Sequence, residues 1–218
     1  MIIGGFMKQS FVDFPGTIAA VIFTVGCNMN CWYCHNRQLI DGTTKTFYSL
    51  ENIFAFLESR KTFLDGVVIS GGEPTLQPDL LDVIKQIKNR GFKVKLDTNG
   101  SNPEVLKTVL PHIDFVAMDI KSSLENYHKI TPNVNTAKLE ESINIIKNSG
   151  VGYEFRLTLA PSITEEDLEK IGLLMQGVNR FAIQTYNPQT PNHPKQPPEF
   201  YQKALKIIKK YVFNTFIR

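Results

Sequence analysis

Short runs of β-branched and apolar residues alternate along this chain with longer stretches whose apolar side chains recur every three to four positions, and that alternation leaves few folds open. The strand candidates are residues 18–25, 66–70, 93–97, 115–120, 152–159 and 181–185. A helix candidate follows each one. These are residues 50–60 with Ser49 as cap, a stretch opened by Pro78 and Asp79 and stopped at Gly91, then 103–110, 137–148, 165–176 and 198–211. Such alternation builds a parallel sheet with right-handed crossovers and helices on its outer face. Six units are too few to close an eight-stranded barrel. The expected fold is therefore α/β, an open (β/α)6 partial TIM barrel of parallel strands with outer helices. Its 218 residues suit a single domain, 1–218.

One stretch breaks the rhythm. Residues 187–198 carry Pro188, Pro191, Pro194, Pro197 and Pro198 and read as an extended loop, either a plain connection to the last helix or a wall over the barrel mouth that contacts a partner. Lys and Arg number 24 against 21 Asp and Glu, a net charge of +3. That surplus is too small to argue for nucleic acid or an anionic membrane, although it is compatible with docking an acidic electron donor. The beginning of the chain has no secretory pattern, and no apolar run is long enough to span a bilayer. Unpaired thiols point to a reducing compartment, so the cytoplasm is expected.

The three cysteines of the chain fall together, as Cys27-x-x-x-Cys31-x-x-Cys34, directly after the first strand candidate. Three is odd and the chain is not cysteine-dense, which argues against a disulfide framework. Four-iron clusters are normally held by four thiolates. A set of three leaves one iron with an open position for a small molecule, which suggests chemistry rather than electron storage. A structural zinc site recruiting His35 as fourth ligand is the alternative, but such sites usually come as two separated ligand pairs. Here all candidates fall within nine residues on one loop.

In barrels of parallel strands, functional groups gather at the C-terminal ends of the strands. Gly71-Gly72-Glu73-Pro74 ends the second strand candidate. Its glycines let the backbone approach a ligand closely, Pro74 fixes the turn, and a backbone carbonyl or Glu73 can accept hydrogen bonds from an ammonium group. Asp97-Thr98-Asn99-Gly100 ends the third strand, and Met118-Asp119-Ile120-Lys121 the fourth. Capping or turn roles would account for these residues. Yet carboxylates ending two neighbouring strands lie close together, and when buried they require a cation or proton between them. Arg156 lies within the fifth strand, where its charge is costly unless paired with Glu154 or a nearby Asp. Gln184 and Tyr186 end the last strand; His112 and His128 read as surface or packing residues, and His193 lies in the proline-rich stretch.

With Tyr33 just before the last cysteine, the cysteine motif resembles that of the radical S-adenosylmethionine (SAM) enzymes, and Gly71-Gly72-Glu73-Pro74 matches the family segment that binds the SAM amino group. The resemblance implies a 4Fe–4S cluster on Cys27, Cys31 and Cys34, with SAM chelating the open iron. One-electron reduction then yields a 5′-deoxyadenosyl radical that abstracts hydrogen from substrate. It also implies a six-unit open barrel, with residues 1–218 as one radical SAM domain. Asp97, Thr98, Asn99, Asp119 and Lys121 resemble segments that hold a monovalent cation beside SAM in the pyruvate formate-lyase activating enzyme. By that likeness Asp97, Thr98 and Asp119 are expected cation ligands and Lys121 a SAM or substrate contact. Arg156 is expected on the SAM carboxylate, and Gln184 and Tyr186 at the adenine.

Residues 10–16 could simply form a turn, but Asp13-Phe14-Pro15-Gly16 also resembles a segment found upstream of the cluster in glycyl-radical-enzyme activases. Together with residues 23–28 and 33–36, it resembles the anaerobic ribonucleoside-triphosphate reductase activating protein family. That likeness implies a single cluster and a glycyl radical enzyme as partner, an anaerobic ribonucleotide reductase first. It also implies reduced flavodoxin or ferredoxin as electron donor, without nucleic acid or membrane. The alternatives are an activase of pyruvate formate-lyase and a radical SAM enzyme acting on a small molecule or nucleoside, for example one like 7-carboxy-7-deazaguanine synthase.

Overall fold

The computed structural model describes residues 1–188 and 194–218, so His193 and Pro191 lie outside the described residues. Six strand–helix units stand where the apolar alternation predicts them, and a further strand is added at each end of the sheet. The strands are β1 (Ile3–Ser10), β2 (Ala19–Thr24), β3 (Gly66–Gly71), β4 (Lys93–Thr98), β5 (Phe115–Ile120), β6 (Gly152–Thr158), β7 (Phe181–Gln184) and β8 (Thr215–Ile217). Their spatial order follows the chain order. β2 through β8 run parallel and β1 runs antiparallel to β2. No pairing joins β8 to β1 among the described residues, so hydrogen bonds leave the sheet open.

A one-turn helix α1 (Arg37–Ile40) lies in the cysteine loop, and the outer helices are α2 (Leu50–Ser59), α3 (Leu80–Asn89), α4 (Pro103–Val109), α5 (Thr136–Lys147), α6 (Glu165–Leu174) and α7 (Pro198–Lys209). Local chemistry sets several of their starts. The Ser49 hydroxyl accepts from the Asn52 amide, and Thr164 and Asp167 exchange side-chain-to-backbone bonds as a capping box. Val94 and Leu96 of β4 join the main apolar core, whereas Lys95 and Asp97 alternate to the other face, where Asp97 accepts from both Lys95 and Arg156 of β6. The barrel interior thus carries charge, and the apolar layer lies between sheet and helices.

Residues 10–16 form the turn between β1 and β2, with the Ser10 hydroxyl donating to Asp13 at 2.6 Å and the Thr17 amide to the Phe14 carbonyl at 3.1 Å. This turn precedes β2, at the end of the strand opposite the cysteine loop. Beyond residue 193 the chain is anchored by Gln196, whose amide donates to the carbonyls of Pro161 and Ile163, each at 3.1 Å.

Candidate functional site

Loops leaving the C-terminal ends of β2 to β7 enclose a cavity of about 430 Å³. Every residue singled out for the cluster or its cofactors lines it, except Pro74 and the buried Tyr186. Pro74 is buried and opens a short 3-10 turn, Pro74–Leu76. Cys27, Cys31 and Cys34 occupy one side, with Asp97, Asp119, Lys121 and Arg156 at the same cavity. The lining also contains residues the sequence did not single out, notably Met29, Asn36, Ser70, Thr158, Thr185 and Asn187. Apart from Asn36, which ends the 33–36 motif, they carry no motif, and only the folded chain gathers them.

The cysteine loop is tied down at several points. The Met29 amide donates to Cys27 Sγ at 3.4 Å, and the Asn99 side-chain amide donates to Asn28 Oδ1 at 3.0 Å while lying 3.8 Å from Cys27 Sγ. The Asn30 amide reaches the Thr131 hydroxyl at 3.0 Å, and Trp32 N–H reaches the Ile130 carbonyl at 3.2 Å. Tyr33 is buried between the rings of Trp32 and Tyr186, at centroid distances of 5.3 and 6.2 Å. Tyr186 therefore backs the loop from behind, and Tyr201 OH receives its backbone N–H at 3.2 Å.

Gly71 and Gly72 let the chain approach itself. A Cβ on Gly71, at φ +113°, would fall 2.3 Å from the Thr24 nitrogen, and one on Gly72 would fall 2.1 Å from the Gly26 carbonyl oxygen. This contact lets the Gly72 amide bond the Thr24 carbonyl at 2.9 Å and the Glu73 amide bond that of Gly26 at 2.8 Å. The two loops that would carry cluster and SAM are thus one unit.

Glu73 is fully buried. Its carboxylate accepts from the Thr75 amide at 3.1 Å, the Thr75 hydroxyl at 2.6 Å, the Thr98 hydroxyl at 2.8 Å and the Asn99 amide at 2.7 Å. Burial nevertheless pushes its carboxyl above the ordinary range. Those donors fill most of its acceptor capacity. Glu73 thus locks the β3 and β4 loops together, and backbone carbonyls remain for an ammonium group.

Deeper in the barrel, five charged side chains alternate in sign. Lys95 Nζ donates to Asp97 Oδ1, Arg156 Nη1 to Asp97 Oδ2 at 3.1 Å, Arg156 Nε to Asp119 Oδ1 at 2.7 Å, and Lys121 Nζ lies 3.5 Å from Asp119 Oδ2. Register explains the meeting, because Asp119 pairs directly with Arg156 across β5 and β6. Burial opposes ionisation of Asp97, but Arg156 and Lys95 outweigh it and hold the carboxyl at about 2. Burial likewise opposes the charge on Lys121, and Asp119 beside it raises its proton affinity well above the ordinary value. Glu154 is not the partner of Arg156; it pairs with Arg180 at 2.9 Å and Arg218 at 3.1 Å.

Three cationic side chains against two carboxylates leave the ladder one positive charge in surplus, as an anionic ligand group such as the SAM carboxylate requires. Burial pushes the Cys27 thiol up to about 11 and raises that of Cys31. Thiolate ligation would therefore release protons. Among the described residues no three His, Cys, Asp or Glu side chains converge on a site for one metal ion, and this holds for the three cysteines alone as it does for a set with His35. Three cysteines around one cavity, beside a cationic ladder and two glycine-built loops, fit a cluster with a small anionic ligand.

A family model described as the radical SAM superfamily matches residues 21–175. The chain belongs to the radical SAM superfamily. A Methanocaldococcus jannaschii protein that carries the provisional name glycyl-radical enzyme activating enzyme is 35% identical over 100% of this chain and 95% of its own. The pyruvate formate-lyase-activating enzyme of Clostridium pasteurianum is 29% identical over 78% of this chain and 74% of its own. The 7-carboxy-7-deazaguanine synthase of Thermococcus kodakarensis is 27% identical over 92% and 83%. Within the radical SAM superfamily, the chain is therefore an enzyme of the glycyl-radical-activating kind, a family that works with a 4Fe–4S cluster and SAM.

Proposed function

We propose that this radical SAM chain activates an anaerobic ribonucleoside-triphosphate reductase by generating a glycyl radical on it. When bound, the cluster and SAM supply a 5′-deoxyadenosyl radical that takes hydrogen from the partner's glycine. Cys27, Cys31 and Cys34 hold the cluster, the backbone of Gly71 and Gly72 meets the SAM amino group, and Lys121 with Arg156 meets its carboxylate. Gln184 borders the adenine. Asp97, Thr98 and Asn99 hold this frame in place, and between Asp97 and Asp119 the Arg156 guanidinium provides the positive charge for which a monovalent ion was expected. Residues 1–218 act as one domain in the cytoplasm, with reduced flavodoxin or ferredoxin as donor.

The observation that carries this reading is the convergence of the three cysteines, the double-glycine turn and the cationic ladder on one cavity. Its volume lies near the low end for ligand sites and is shared with the three cysteines, which favours a hydrogen donor presented through the mouth by a partner protein. The ribonucleotide reductase assignment rests on residues 10–16, 23–28 and 33–36. The Clostridium pasteurianum relative favours a pyruvate formate-lyase as the second reading.

Anaerobic reconstitution tests both. SAM should be cleaved to 5′-deoxyadenosine, and electron paramagnetic resonance should show an organic radical on added ribonucleotide reductase that disappears when its glycine is replaced. A radical only on pyruvate formate-lyase would select the second reading. No radical on either protein, with SAM still cleaved, would overturn both partner assignments and favour a small-molecule or nucleoside substrate.

A further inference from the structure

We infer that this chain carries its own cation, Arg156, between Asp97 and Asp119, and that SAM binding is consequently indifferent to potassium and sodium. All four carboxylate oxygens of the pair already face a cationic nitrogen of the chain. Lys95 meets Asp97 Oδ1, Arg156 meets Asp97 Oδ2 at 3.1 Å and Asp119 Oδ1 at 2.7 Å, and Lys121 lies 3.5 Å from Asp119 Oδ2. The Ser70 hydroxyl adds a further bond to Asp97 Oδ2 at 3.1 Å. An extra ion seated between the carboxylates would lie a few ångströms from three like charges, in a site where Lys95, Asp97 and Arg156 are each less than a tenth exposed. Around Lys95, Asp97 and Arg156 little water is present to screen the repulsion, whereas the Asp119 side chain is 33% exposed at the cavity.

The bridge is also built by the fold rather than by a mobile side chain. Asp119 and Arg156 are register partners on adjacent parallel strands, while Asp97 is the register partner of Ala117, two residues before Asp119. A guanidinium spans that offset with two nitrogens, Nε to one carboxylate and Nη1 to the other, as its fixed fork geometry allows. Lys95 then balances the far oxygen of Asp97 from two positions earlier on the same strand. Lys95 is thus a positioning residue that the sequence reading passed over. Because Nε and Nη1 are engaged, Nη2 is the Arg156 nitrogen left for the SAM carboxylate.

The test compares the metal-free full chain and the reconstituted holoenzyme in potassium, sodium and choline chloride at one ionic strength, so that screening is equal. The thermal midpoint of the metal-free chain should be the same in all three salts, and the SAM Kd of the holoenzyme should vary by less than about twofold. A midpoint raised by potassium or sodium over choline, or a SAM affinity improved tenfold, would overturn the inference. Arg156→Gln should acquire the dependence the parent lacks, binding SAM more weakly in choline and recovering part of the loss in potassium. Arg156→Lys, which keeps a charge, should remain indifferent. If Arg156→Gln does not fold, the parent protein in the three salts decides alone. The metal-free melt needs neither SAM nor partner, so its outcome is separate from that of the activase assay.

Discussion

Replacing Gly72 by alanine isolates the contact that joins the double-glycine turn to the cysteine loop. Gly72 does not sit in the left-handed region, so an alanine there is conformationally allowed and its cost is steric. The new Cβ would lie 2.1 Å from the Gly26 carbonyl oxygen and 2.7 Å from its carbon, both backbone atoms that cannot rotate away. Restoring an ordinary carbon-to-oxygen approach of about 3.3 Å requires the loops to part by about 1 Å. That movement stretches the 2.8 Å bond from the Glu73 amide to the same carbonyl beyond its working range. Overpacking costs about 1–3 kcal/mol and the lost bond about 1 kcal/mol or more. A total near 3 kcal/mol lowers the melting midpoint of a chain this long by about 6–12 °C. Circular dichroism melts of the metal-free protein measure it. Gly5→Ala is the control, since its Cβ meets only the Phe23 side chain, at 3.2 Å or more. A Gly72→Ala midpoint as high as that control would refute the argument that these two loops form one unit.

The pH dependence of Asp97 follows from its charged neighbours. A carboxyl held at about 2 against an ordinary 3.8 stabilises the native state above its unfolded value and loses that contribution as pH falls through the folded one. Asp97→Asn should therefore cost about 2 kcal/mol at neutral pH, and the difference from the parent in urea midpoint should shrink between about pH 4 and 2. Alanine at Cys27, Cys31 or Cys34 should each abolish retention of about four irons per chain after anaerobic reconstitution. His35→Ala should keep them, and iron loss in that variant would favour histidine ligation. Thr164→Ala should cost about 1 kcal/mol by urea unfolding, because it removes the cap of α6.

How far the residues announced all this depends on what each pattern measures. β2, β3 and β7 were legible because both of their faces are covered, which makes them near-continuous apolar runs, and β4 and β6 showed apolar residues at alternate positions. β1 was not legible, since Ile3–Ser10 is an edge strand with two glycines and a half-exposed face. β8 has three residues, fewer than periodicity can register. The cysteines and Gly71-Gly72-Glu73-Pro74 were readable as local spacing. Glu73 shows the limit of that reading, since its acceptor capacity is spent on Thr75, Thr98 and Asn99. Lys95 and Glu154 were passed over as site residues because a charge at alternate strand positions ordinarily faces water. Here that face turns into a barrel interior, where Asp97 on the same strand neutralises Lys95, and Arg180 and Arg218, which flank β7 and β8, neutralise Glu154.

Among the described residues no strand pairing joins β8 to β1, which makes the enclosure a cleft and not a ring. A closed ring fixes the width of its mouth, and with it the width of any loop that enters. An open sheet is not held to one width, so its mouth can take a wider bight of chain. Under the proposed function, a glycine in the middle of a folded partner could enter as a loop and withdraw again, with both flanking segments still attached to their own domain.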